Sequence, residues 1–109
     1  MLTFAALAAK RPRYMELKGP KKLERHFKGV ANHRRIQILL LIAKRPEITL
    51  FDIAEAVNCN FKTVSEHVRK LALAGLVEKS YAGREVRHML TPYGRMFYEF
   101  IQRFSNAEQ

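Results

Sequence analysis

One cysteine, Cys59, occurs in the 109 residues. That excludes an internal disulfide framework and fits a reducing, cytoplasmic compartment. No apolar run approaches the roughly 18 residues of a membrane-spanning helix, so none is expected. The opening MLTFAALAA is apolar, but no basic stretch precedes it, and a cleaved signal peptide is not expected. Glycine-rich phosphate loops, Ser-His-Asp patterns and paired carboxylates in a common motif are all missing, so the chain does not read as an enzyme. Its histidines, His26, His33, His67 and His88, fall on separate predicted elements without paired spacing. A stable transition-metal site needs several convergent nitrogen or sulfur ligands, so neither a metal nor another cofactor is expected.

Acidic residues are also scarce. Ten Asp and Glu stand against 20 Lys and Arg, a formal charge of +10. The excess is concentrated early: residues 1–30 carry +6 and residues 31–50 carry +3, whereas residues 51–75 and 91–109 each balance. An excess of this size draws a chain toward a polyanion, most often nucleic acid. Charge alone does not separate that from an acidic membrane surface or an acidic protein. The apolar share of 48% is enough for one folded domain with a modest core.

Patterning then divides the chain. The tetrapeptide AKRP ends two apolar runs, at residues 9–12 and 43–46. Each reads as a helix stop, with cations at the carbonyl end and a proline that cannot continue. Leu23, Phe27 and Val30 form one helical stripe, weakened by Gly29, and Asn32 caps the next helix. From Ile36 to Ile42 nearly every residue is apolar, which predicts a central helix packed on several sides. Thr49 begins a third, with Asp52 at the N3 position and Ile48 able to staple to Ile53. Ile53, Ala54 and Val57 should face inward.

The polar break Asn58-Cys59-Asn60 follows, and Asn60 caps a helix from Phe61 to Ala74 with Val64, Val68 and Leu71 buried. Gly75 ends it. Residues 76–90 alternate as a hairpin about a turn at Ala82-Gly83-Arg84. Thr91 and Pro92 open a last helix with an apolar stripe of Met96, Phe97, Phe100, Ile101 and Phe104. The fold class is therefore mainly α with a small β-hairpin. Residues 1–20 form a basic N-terminal arm or short helix, residues 21–105 the domain with a terminal dimerisation helix, and residues 106–109 a tail. Within the arm, KRPRY at residues 10–14 reads as a solvated linker, with a minor-groove arm as the alternative.

Two short helices about a three-residue turn, then a hairpin, make a winged helix-turn-helix, in which the first helix braces the second against the major groove. Removing the buried stripe leaves Phe61, Lys62, Thr63, Ser65, Glu66, Arg69 and Lys70 on the reading face. Lys79 and Arg84 on the wing, and Arg34, join them as expected DNA contacts. Glu66 opposes phosphate but is able to accept from cytosine N4.

Residues 31–92 resemble the ArsR-type transcriptional regulators, with the MarR type as close cousin. The resemblance is carried by ANHRRIQILLLI, DIAEAVNCNFKTVSEHVRKLALAGLVEKS, GREVRHMLTP and Gly94-Arg95, and is most specific in TVSEHVRKLALAGLV. It implies a homodimer that binds double-stranded DNA, reads an operator with helix 61–74, touches DNA with wing 76–90, and represses transcription. Metal-sensing members carry a cysteine pair before the turn, where this chain has Leu50-Phe51-Asp52. His67 matches the recognition-helix histidine of the family. Cys59 is expected to be a small apolar filler of the turn, with thiol sensing as the competing role. The alternatives are an architectural DNA binder with little sequence preference and a winged helix used for protein contacts.

Overall fold

The computed structural model describes residues 18–107. The expectations for a signal peptide, for the first apolar run and for the KRPRY arm lie outside them.

Among the described residues the order is α1 (Pro20–Val30), α2 (His33–Lys44), β1 (Ile48–Thr49), α3 (Leu50–Ala56), α4 (Phe61–Leu73), β2 (Val77–Ala82), β3 (Glu85–Leu90) and α5 (Pro92–Asn106). The capping residues read from the sequence do their work. Asn32 accepts from the N–H groups of Arg34 and Arg35, Thr49 from Asp52, Asn60 from Lys62 and Thr63, and Thr91 from Gly94. Each satisfies donors that a helix start leaves without partners, worth about 1 kcal/mol apiece.

The central helix is α2, whose Ile38, Leu39 and Ile42 are at most 1% exposed. Val64, Val68 and Leu71 of α4 and Ile53 of α3 meet them in one core. Truncating such a side chain to alanine costs about 2–5 kcal/mol. The stripe on α1 behaves differently: Val30 is buried, but Leu23 and Phe27 are exposed. Gly29 is less a weakness than a point of close approach, since a Cβ there would lie 2.2 Å from the Ala74 Cβ.

Two details of the β structure differ from expectation. The sheet has three strands in the order β1-β3-β2, because Ile48 and Thr49 pair with His88 and Arg87 of β3. A two-residue strand is too short to show a period. The hairpin turn is also tighter than the predicted three residues: Ala82 still pairs with Glu85, leaving Gly83-Arg84. Gly83 has φ 63°, the glycine-first pattern of a II′ turn.

Candidate nucleic-acid interface

The turn between α3 and α4 sets the direction of α4. Val57 closes α3, and Asn58 follows at φ 50° in the left-handed region. The Cys59 N–H then donates to the Ala54 carbonyl at 3.1 Å, and the Asn58 N–H to Glu55 at 3.1 Å. This pair of bonds is a Schellman motif, which takes an apolar residue where Cys59 stands. Cys59 is half-buried and packs against the core, as the filler reading expects.

Arg34 braces the same turn from α2: its guanidinium donates to the Val57 carbonyl at 2.7 Å. The side chain expected to touch DNA is thus committed to an orphan carbonyl at the end of α3. The α4 helix ends like α3. Gly75 at φ 76° takes the left-handed position, and the Leu76 N–H donates to Leu71 at 3.0 Å. The chain passes from there directly into the wing.

The outward face of α4 is polar. Phe61, Lys62, Thr63, Glu66, Arg69 and Lys70 are exposed, and Ser65 is half-exposed. Glu66 and Arg69 are not independent: Arg69 Nε donates to Glu66 Oε2 at 2.9 Å, and Nη2 donates to the other oxygen. The Arg69 bond holds the Glu66 carboxyl below the usual carboxylate range. An i, i+3 acid–base spacing was visible in the sequence and signals such a pair. The pair offsets the charge of one cation expected on the reading face.

His67 is half-buried on the flank of α4 that faces α2, and its Nδ1 is buried without a partner among the described residues. Burial lowers its pKa, and the positive charges of Arg35, Lys70 and Arg34 lower it further.

On the wing, Lys79 and Arg84 are exposed, and so is Tyr81 at 75%. Arg87 is paired with Glu85 at 3.0 Å. The structure therefore brings the expected reading face and the two wing cations to the surface, while Arg34 and Arg69 also bond to protein atoms. Sequence reasoning overlooked Tyr81, whose alternation with Val77 pointed to a sheet face rather than to solvent.

A second surface bears on assembly. On α5, Phe97 and Ile101 pack against the core, whereas Met96, Phe100 and Phe104 are 53–66% exposed. Phe27 of α1 stacks edge-on against Phe97 at 5.2 Å and is itself 53% exposed. Together they make a contiguous aromatic face, more than single scattered apolar residues on a monomer surface. No helix among the described residues is long and apolar enough to cross a membrane. No cluster of three or more potential metal ligands occurs there.

Comparison with known proteins agrees with this geometry. The sequence matches the HVO_A0114 family over residues 30–97. No curated protein matches it. Among solved structures, the homodimeric winged helix-turn-helix DNA-binding domain Mb0332 of Mycobacterium bovis, a possible ArsR-family regulator, is 29% identical with a TM-score of 0.73. That match covers 79% of this chain and 80% of that one. Reduced HlyU of Vibrio cholerae is 23% identical, with a TM-score of 0.71 over 80% of this chain and 92% of its own. FabT of Streptococcus pneumoniae, solved in complex with DNA, is 18% identical, with a TM-score of 0.63 over 78% of this chain and 66% of its own. The last two similarities are of fold alone. The chain belongs to the HVO_A0114 family, and its fold is a winged helix-turn-helix whose structural neighbours include transcriptional regulators of the ArsR and MarR types.

Proposed function

We propose that the protein is a homodimeric, sequence-specific regulator of transcription that binds double-stranded DNA and acts as a repressor in the cytoplasm. Helix α4 enters the major groove, where Lys62, Thr63, Ser65 and Glu66 meet base edges and phosphates. Lys79 and Arg84 of the wing contact the backbone or the narrow minor groove. The observation that carries this reading is the capped, outward-facing polar face of α4, followed after a three-residue link by a hairpin with exposed Lys79 and Arg84. The amino end of α4 adds a helix dipole that favours phosphate. The aromatic face of α5 and α1 supports the dimer, which would set two copies of α4 against two half-sites.

The test uses two exposed or half-exposed positions. Ser65→Ala and Lys62→Ala should each weaken binding to a selected duplex while leaving the circular dichroism spectrum and melting temperature unchanged. Variants that bind as tightly as the wild type would move the reading face elsewhere.

A further inference from the structure

A groove runs between α1 and the carboxyl half of α4. It is open, about 550 Å³ in volume, and its lining includes Arg25, Lys28, Arg35 and Lys70 over a floor of Gly29 and Ala74. Among the described residues no carboxylate lines it. The floor exists because Gly29 lets α1 approach the Ala74 Cβ.

Its cations are not equally available. Arg25 is exposed but already engaged, donating twice to the Leu73 carbonyl at 2.7 and 3.1 Å. Lys28 stands 3.6 Å from Glu24, and both are largely solvent-exposed, so the attraction is weak. Lys70 makes no ion pair among the described residues. Arg35 reaches Lys28's carbonyl only at 3.5 Å, and its Nε is buried without a partner there. A buried guanidinium N–H without an acceptor is costly unless an acceptor arrives. Burial lowers the pKa of the neighbouring His67 most, and the charges of Arg35, Lys70 and Arg34 lower it further.

Position identifies the occupant. Lys70 follows Glu66 by four residues on α4, so the groove begins about 40° around the helix from the reading face. Helix α1 packs along the carboxyl half of α4, where Lys70, Leu73 and Ala74 line the groove. A helix lying in a major groove has a phosphate strand along each flank. We infer that this groove is a phosphate site that takes the DNA backbone beside the carboxyl half of α4, with Lys28, Arg35 and Lys70 as its ligands. The inference rests on the DNA-binding reading and adds a second anchor to it.

The test is the salt dependence of binding to a selected duplex, for the wild type and for Lys28→Gln/Lys70→Gln. Each lost phosphate contact lowers the slope of log K against log salt by about 0.9, so the double variant should lose roughly 1.8 while its penalty for mismatched bases is unchanged. Lys44→Gln, an exposed lysine elsewhere on α2, should leave the slope as it is. A wild type that binds and a double variant with the same slope would overturn this site alone. A wild type without affinity for duplex DNA at low salt would overturn it together with the functional reading. Inorganic phosphate supplies the other arm: saturation of the Gly29 and Ala74 amide shifts at micromolar phosphate would mark a free-anion pocket and overturn the backbone assignment.

Discussion

Arg69 clasps the carboxylate of Glu66 with two donors, one helical turn away on the exposed face of α4. Both are solvent-exposed, so the pair adds little to stability. Its consequence is electrostatic. Each charge offsets the other, and two donors of the Arg69 guanidinium are occupied by Glu66. Glu66→Gln should free Arg69, raising affinity for random duplex DNA several-fold and reducing discrimination between sequences. Arg69→Ala should leave a bare carboxylate against the backbone and weaken binding to all sequences. Fluorescence anisotropy on matched and random duplexes at fixed salt measures both.

His88 carries a pH dependence of stability. It is 1% exposed on β3, its Nδ1 lies 3.0 Å from the Ile48 carbonyl, and its Nε2 has no partner among the described residues. The carbonyl only accepts, so the ring donates from Nδ1 and keeps Nε2 as a lone pair. Burial lowers the folded pKa, the bond to Ile48 raises it, and Lys79 across the sheet lowers it. The net shift is downward, so the unfolded chain binds the proton first as pH falls. Stability should be full above about pH 6.5, the ordinary histidine value, and fall below it. The melting temperature should drop between pH 7.5 and 5.5, and His88→Phe should show a smaller drop.

The aromatic face of α5 should behave as an interface rather than as core. Phe104 is 66% exposed and Phe100 is 53% exposed in the single chain. Phe104→Glu should therefore leave the helical content intact, yet shift the protein from dimer to monomer in light scattering. Duplex affinity should fall with it, since two linked half-site contacts become one.

Gly94 tests the hinge between wing and last helix. A Cβ there would lie 2.0 Å from the Leu76 carbonyl oxygen, a backbone atom that cannot swing aside. Thr91 ties the same place by donating to the Gly75 carbonyl at 2.6 Å. Gly94→Ala should destabilise the fold by about 2–3 kcal/mol and lower the melting temperature by roughly 10 °C.

Local signals accounted for the helices. Asn32, Thr49, Asn60 and Thr91 announced four starts, and Gly75 one end, because capping is a matter of a few adjacent residues. What needed three dimensions was pairing across the chain. Ile48 joins β3 forty residues away, and Arg34 reaches Val57 across the turn. Neither carries a period or a motif. For the candidate site, the exposed face of α4 followed from subtracting its apolar stripe. The commitment of Arg34 and Arg69 to protein atoms did not, because composition counts a cation without showing where its charge is spent. Cys59 illustrates the opposite case: its small apolar role needed only the Schellman turn around Asn58.

Selection from random duplexes tests the central claim most directly. A dimer reading with α4 predicts one enriched motif with two-fold symmetry, its half-sites spaced about one helical turn, 10–10.5 base pairs, or a multiple apart. A library that binds with a steep salt dependence but enriches no motif would contradict it.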